Sequence, residues 1–471
     1  MIDEVHCVDK WGHDFRKDYQ ELCKLRQNFP DVPILGLTAT ATEKMRTGIA
    51  RTLGLIECYL FCSGFNRANL ILEIRCKKFF TKTRDPLNII KAKGDIGIDD
   101  IDKDSGENDG VNDNVSEVDE GEPEKNNHGK QIERKNILNM HIIAADMHTF
   151  INKKCKNKTG IVYCTKTAEV DYMVQTLNVL FPRKKHHNGK TYDYAVGYHG
   201  QMGDRKKERN FNRWTDDKSP IIVATVAFGM GIDKSTVRFV AHHNMPKSLE
   251  NYYQEIGRAG RDGGRAYCIM YYDDADRTGQ DFTIPNHEDM HGADNKSEAF
   301  PNMNVMQLYC ENTYDCRRAF IIRHMGEDFE DWQCNYTCDN CFRKYQFLQR
   351  DKPSVESLKD QNYIERKMRG FTDERDLTGR AQEFLEKIGK LRGEFRMTRK
   401  QILNGLKGGL SDKEHKNTLG KLDLYGMMDR EKTKKTKKSA DEVVRFLINK
   451  LTELGCFCYE KFNTSYGGCI Y

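Results

Sequence analysis

Gly160-Ile161-Val162-Tyr163-Cys164 is an apolar run with no charged position, and the helical run Glu169 to Leu180 follows it. A strand exposed on one face alternates apolar with polar side chains, whereas a strand apolar throughout is covered on both faces. The unit recurs as Ala195-Val196-Gly197-Tyr198 with the helix Asp204 to Trp214, then as Ile221-Ile222-Val223-Ala224-Thr225 and Phe239-Val240-Ala241-His242. This alternation predicts a parallel α/β sheet buried on both faces. Upstream, Ile34-Leu35-Gly36-Leu37, the loop Thr38-Ala39-Thr40-Ala41-Thr42 and the helix Glu43 to Leu53 predict one more such unit. Downstream, periodicity is lost around 280–300. A cysteine-containing helical region then covers about 303–350, and a basic, mostly helical segment covers 370–455. From Cys456 to Tyr471 two aromatic-rich runs flank a polar turn, which predicts a hairpin.

The chain has 471 residues, enough for two to four domains. Its mean hydropathy is −0.76, and no stretch approaches the roughly 18 consecutive apolar residues of a membrane span. Met1 to His6 has neither the basic nor the apolar region of a secretory signal, so an intracellular chain is expected. The net charge is only +5, but Asp95 to Glu124 holds thirteen acidic residues against one base, Lys103. Such a composition cannot repay its ordering entropy, and residues 94–130 are expected to form a disordered acidic loop. Without Asp95–Glu124 the chain carries 75 bases against 58 acids, or +17. A field of that size favours nucleic acid or another polyanion, with a merely solvated basic surface as the alternative. For the 16 cysteines of a leaderless chain, metal binding or packing comes before disulfides.

Three groups carry chemistry. Asp3-Glu4-Val5-His6 sets two carboxylates side by side, suited to one holding Mg²⁺ through water while the other takes a proton from an attacking water. Arg258 and Arg261 stand at i and i+3, one helical face if the segment is helical, and could reach a transferring phosphate from a second domain. Cys316, Cys334, Cys338 and Cys341 have the spacing C-x₁₇-C-x₃-C-x₂-C, enough thiolates for a tetrahedral structural Zn²⁺ site. By spacing alone Cys310 competes as the fourth ligand, and buried free cysteines are the alternative.

Asp3-Glu4-Val5-His6-Cys7, Trp11-Gly12-His13-Asp14-Phe15-Arg16, Leu37-Thr38-Ala39-Thr40-Ala41, Ala227-Phe228-Gly229-Met230-Gly231-Ile232-Asp233-Lys234 and Tyr253-Gln254-Glu255-Ile256-Gly257-Arg258-Ala259-Gly260-Arg261-Asp262, in that order, resemble the RecQ family of DNA helicases. The resemblance implies RecA-like parallel-sheet motor domains, the first incomplete, then a helical zinc-binding subdomain and a winged-helix domain. Asp3 would serve Mg²⁺, Glu4 would be the base for water, and His6 would couple DNA contact to hydrolysis. Thr38 and Thr40 match the motif linking ATP to strand movement, and Gly231 and Asp233 one that touches nucleotide and DNA. Gln254, Arg258 and Arg261 match the motif completing the ATP site. Trp11, His13, Phe15 and Arg16 correspond to the family's aromatic-rich loop, where aromatic faces stack on bases and arginine meets phosphate. Without the family, Trp11 and Phe15 read as a core stripe. Lys10 stands where the family usually has glutamine. Cys316-Arg317-Arg318 with Cys338-Asp339-Asn340-Cys341 resembles the family's zinc subdomain, which favours Cys316 over Cys310. The segment from about Asp376 to Tyr471 resembles its winged helix, with helices Phe395 to Leu406 and Asp441 to Leu454. Phe462 or Tyr466 would be a wedge at the hairpin tip, or hairpin core. The lysines of Arg430 to Lys438 are a phosphate-contacting loop, a nuclear import signal or a solvated charge run.

The implied organisation is the C-terminal part of a first motor domain (1–75), a linker with the acidic insertion (76–135), a second motor domain (136–280), a zinc subdomain (300–350) and a winged helix (370–471). A G-x-x-x-x-G-K-[ST] phosphate loop does not occur: Gly189-Lys190-Thr191 has Lys184 where the first glycine is required. The expectation is a truncated, ATP-dependent 3′ to 5′ DNA helicase of repair and recombination in the nucleus, inactive as this fragment, using ATP, Mg²⁺ and Zn²⁺ and binding single-stranded and forked DNA. The alternatives are a non-hydrolysing protein that binds DNA structures through its zinc and winged-helix modules, and a zinc-dependent winged-helix regulator.

Overall fold

The computed structural model describes residues 1–8, 19, 21–38, 43–55, 58–77, 125–187, 189–226, 228, 232–281 and 296–351, and shorter C-terminal runs of which 378–389 and 399–406 are the longest. Its centre is a six-stranded, wholly parallel sheet in the order β1-β8-β7-β2-β6-β5. The strands are β1 (Leu70–Cys76), β2 (Thr159–Tyr163), β5 (Ala195–Tyr198), β6 (Ile221–Ala224), β7 (Val237–His242) and β8 (Ala266–Tyr272). Strand periodicity divides the core in two. Ile161 and Tyr163 of β2 join Ile222, Val240 and Met270 on one face, and Val162 joins Val223, Ala241 and Ile269 on the other.

The second face is covered by α2 (Lys125–Lys154) and α3 (Thr167–Leu180) through Met147, Ile151, Met173 and Leu177. On the first face lie α5 (Leu249–Ile256), α7 (Lys296–Glu311) and α8 (Arg317–His324), with Tyr252, Tyr309 and Ile322 in that core. Gly160 is required where β2 crosses Phe239, because a Cβ there would lie 2.1 Å from Phe239 Cζ. From the first face Trp214, the last apolar residue of α4 (Asp204–Thr215), donates from Nε1 to Gly160 O at 3.1 Å.

Three boundaries differ from the sequence reading. The division expected at 75/76 falls inside β1, which pairs with β8 along its whole length and belongs to the second sheet. α2 begins at Lys125, so residues 125–130 of the expected loop and the end of the expected linker are helical. The acidic run ends at Glu124, and Lys125 to Lys135 mixes bases with amides and apolar residues. The rest of that loop lies outside the described residues. The strand expected at 34–37 makes one parallel bridge, Ile2 to Gly36, with Ile2 N donating to Leu35 O at 2.7 Å and Leu37 N to Ile2 O at 2.8 Å. Its neighbour turns away two residues later, where Glu4 has φ +50°. Ile2, Val5 and Val8 pack there on Ile49 and Leu53 at the end of α1 (Glu43–Thr52).

A small antiparallel hairpin, β3 (Lys184–Lys185) and β4 (Thr191–Tyr192), precedes β5. Gly189, at φ +77°, forms its turn, which places Gly189-Lys190-Thr191 in a hairpin instead of ahead of a helix, as a phosphate loop requires. After β8 come α6 (Asp274–Asp281), α7, α8 and α9 (Asp339–Leu348), then α10 (Thr378–Gly389), α11 (Arg399–Leu406) and the antiparallel pair β9 (Glu460–Lys461) and β10 (Cys469–Ile470). Arg445 forks onto Asp274 at 3.0 and 2.7 Å, fastening the C-terminal segment to α6. No helix among the described residues is long and apolar enough to cross a membrane.

Candidate functional site

The chain's first residues gather one cluster. Glu4 N donates to Asp3 Oδ1 at 2.9 Å, and the buried His6 has Nδ1 2.8 Å from Thr38 Oγ1 and 3.4 Å from Glu4 Oε2. Four of the expected residues, Asp3, Glu4, His6 and Thr38, therefore meet, with the imidazole between the carboxylate and the threonine. Glu4 holds its place in a left-handed backbone conformation that costs about 1 kcal/mol or more for a non-glycine residue, a strain that persists where surrounding contacts over-determine it.

A second cluster sits beyond α5. The helix ends at Ile256, Gly257 caps it, and Gly260 at φ +57° sends its N–H to Val237 O at 2.9 Å. Arg258 and Arg261 consequently lie on a turn and do not share a helical face as the i, i+3 spacing suggested. Arg258 turns inward, 8% exposed, beside the Tyr163 phenol. Burial pushes that phenol up, and the charge and hydrogen bond of Arg258 offset part of the rise. Arg258 Nε is buried without a partner among the described residues. Arg261 turns outward to Asp233, with Nη1 3.0 Å from Oδ1 and exposures of 37% and 86%. So exposed a pair is worth at most about 1 kcal/mol, and Arg261 can leave it for a phosphate at little cost. Gln254 stands half-buried on α5.

Two residues that the sequence reading missed hold this turn. Arg67 donates to Ala259 O at 3.0 Å and Gly260 O at 2.9 Å, and Asn69 Nδ2 to Gly260 O and Gly264 O at 2.9 Å each. Both come from the segment entering β1, whose place in this sheet was not anticipated. The available signal was the polar run Asn66-Arg67-Ala68-Asn69 immediately before Leu70-Ile71-Leu72.

The third cluster is Cys316, Cys334, Cys338 and Cys341, all buried, with their sulfurs within 4.8 Å of one another. Four Zn–S bonds of about 2.3 Å in a tetrahedron require sulfurs about 3.8 Å apart, so a small contraction closes a zinc site. The donor set suits a cation. Cys316 and Cys338 are the N-caps of α8 and α9, and each accepts a backbone N–H at 3.4 Å, from Ala319 and Cys341. Hydrogen bonding within the cluster lowers the Cys334 and Cys338 thiols and raises those of Cys316 and Cys341, so the four sulfurs share protons among themselves. Cys310 lies elsewhere in the core, its sulfur 3.4 Å from Met270 Sδ, and is not the fourth ligand.

The thiol cluster is built onto the sheet edge. Leu72 N donates to Thr337 O at 3.0 Å, forming a parallel bridge from Leu72 to Cys338 that covers the free side of β1. Asp339 accepts from Ile74 N at 3.2 Å and from the buried Arg317. Arg318, buried two residues after Cys316, donates to Arg67 O at 2.7 Å, to Leu70 O and to Thr337 Oγ1 at 2.9 Å. A continuous chain of contacts thus runs from Cys316 through Arg318 and Arg67 to the turn carrying Arg258 and Arg261. Thr40, Trp11, His13, Phe15, Arg16, Gly231, Phe462 and Tyr466 lie outside the described residues.

A family model described as Helicase conserved C-terminal domain matches residues 142–263, and one described as RecQ zinc-binding matches 274–342. ATP-dependent DNA helicase Q-like 4B of Arabidopsis thaliana is 33% identical over 368 residues, covering 74% of this chain and 25% of that protein. ATP-dependent DNA helicase Q1 of Rattus norvegicus is 33% identical over 350 residues, 74% of this chain and 44% of the relative. ATP-dependent helicase SGS1 of Saccharomyces cerevisiae is 30% identical over 359 residues, 76% and 20%. The chain spans less than half the length of these relatives. Arg318, within the second match, ties the thiol cluster to the arginine turn within the first, and a chain 30–33% identical to these helicases over 74–76% of its length belongs to the RecQ family.

Proposed function

We propose that the chain is part of an ATP-dependent DNA helicase that moves 3′ to 5′ and opens duplex or forked DNA during repair and recombination in the nucleus. The observation that carries this reading is the arginine turn: Arg258 has a buried Nε with no partner among the described residues and Arg261 a weak exposed tether, both at the end of a RecA-like sheet. When bound, ATP with Mg²⁺ supplies the phosphoanhydride bond whose hydrolysis drives strand movement. Asp3 would hold the metal, and Glu4 would take the proton from the attacking water. Arg258 and Arg261 stabilise charge on the transferring phosphate, a contribution typically worth about 10³–10⁵ in rate. His6, touching both Glu4 and Thr38, carries the state of one to the other. The four cysteines hold zinc that supports folding. The segment 370–471 acts as a winged helix, with Phe462 or Tyr466 at its tip against the terminal base pair.

These 471 residues contain no G-x-x-x-x-G-K-[ST] loop to grip the β and γ phosphates, so by itself this chain binds DNA without turning ATP over. Anisotropy titration with a labelled fork bearing a 3′ single-stranded arm, alongside an ATPase assay, tests this. Binding that weakens steeply with salt and background turnover are expected. Absence of binding at low salt overturns the DNA reading, and turnover abolished by Glu4→Gln overturns the absence of hydrolysis.

A further inference from the structure

β5 forms the edge of the sheet opposite β1 and the thiol cluster, and the helix that follows it, α4, carries an unexplained basic face. Arg205, Arg209 and Arg213 recur every fourth residue, so they share that face and span about 12 Å along the axis. Like charges at this spacing repel, at about 0.2–0.5 kcal/mol per pair. Arg205 and Arg209 are exposed, and neither has a carboxylate ion-pair partner among the described residues. With Tyr192, Asn212 and Lys218 the three arginines line an open cavity of about 440 Å³ between α4 and the β3–β4 hairpin. Glu208 is the one acidic side chain among its lining residues. The Arg213 guanidinium lies over the Tyr192 ring at 5.6 Å, which fixes its plane and leaves its edge open, and Lys184 and Lys185 continue the positive charge along β3.

We propose that this groove binds the phosphodiester backbone of a nucleic-acid strand, giving the molecule a second contact surface on the edge away from the zinc cluster. A compact anion would need convergent donors in a closed pocket, whereas this array is linear and open, the form of a polyanion's track. Guanidinium forks match phosphate oxygens in pairs, and a bound strand relieves the repulsion among the three arginines. That the polyanion is nucleic acid rests on the helicase reading above.

The test compares the full chain with the triple variant Arg205→Gln/Arg209→Gln/Arg213→Gln and with a control, Lys153→Gln/Lys154→Gln/Lys156→Gln, which removes equal charge from exposed positions at the end of α2 and just beyond. The probe is a fluorescein-labelled single-stranded oligonucleotide titrated across a salt series. Each phosphate contact adds about 0.7 to the slope of log affinity against log salt, so the groove variant should flatten it by about 2 while the control leaves it unchanged. An unchanged slope in the groove variant, or equal flattening in both, overturns the groove. A wild-type chain that binds no oligonucleotide instead overturns the helicase reading beneath it.

Discussion

His6 and His243 are both buried, and their surroundings set them to different tasks. One nitrogen of His6 faces both Thr38 and Glu4, so its tautomer decides whether Nδ1–H donates, to Glu4 among others, or Nδ1 accepts from the Thr38 hydroxyl. His243 is held neutral: burial pushes its imidazole down to about 3, Lys77 adds to the effect, and Nδ1 lies 2.8 Å from Asn244 Oδ1. The unfolded chain protonates this group near 6.5, so its contribution to stability is whole above that pH and is lost as pH falls toward 3. About 2 kcal/mol of it should be gone by pH 5. Urea melts of wild type and His243→Gln should therefore differ less at pH 5 than at pH 7, by about that amount, and a constant difference contradicts the buried neutral imidazole. At this scale the sequence was legible where chemistry rides on spacing, as in Asp3-Glu4 and the last three cysteines. It was silent on Arg67 and Asn69, whose partners at the turn are backbone carbonyls that could come from anywhere in the fold, and it quoted Arg318 without a partner.

The apolar runs 160–164, 195–198 and 221–225 each became the strand expected of them, because a doubly buried strand has no polar phase to misread. The two strands of the six-stranded sheet not anticipated, β1 and β8, include one of the most apolar runs of the chain, Ala266 to Tyr272. β1 was assigned to the first motor domain because 82 residues separate Cys76 from Thr159 and no local pattern shows which sheet it joins. The i and i+3 spacing of Arg258 and Arg261 left open whether their segment is helix or turn, because it fits both. Gly260 decides for the turn, since a Cβ there would lie 2.5 Å from Asn69 Nδ2 and 2.6 Å from Gly264 O at a backbone angle that disfavours side chains. Gly260→Ala should dislodge Asn69, cost about 1–3 kcal/mol in denaturant melts and weaken nucleotide-dependent behaviour wherever the turn is used. A melt within about 0.5 kcal/mol of wild type would show that the turn is not clamped.

Across the whole molecule, the sheet lies between the proposed nucleic-acid groove beside β5 and the four-cysteine cluster on the opposite edge at β1, while Arg445 ties the C-terminal segment to α6. The small net charge of +5 conceals this arrangement because the acidic stretch Asp95–Glu124 offsets a body of +17. The thiol cluster, Arg318, Arg67 and the arginine turn are joined by contacts in series, so on the reading proposed above zinc held by the four cysteines fixes the turn that carries Arg258 and Arg261. Hydrogen exchange of the full chain, zinc-loaded and after chelation, tests it most directly at the amides of Gly260, Gly263 and Ala266, which donate to Val237 O, Gly260 O and Asn69 O. Loss of zinc should speed exchange at these amides about tenfold or more while Ile161, Val162 and Val223 inside the sheet stay protected. Unchanged exchange at the turn, or equal acceleration throughout the sheet, would contradict a zinc module that clamps the arginines.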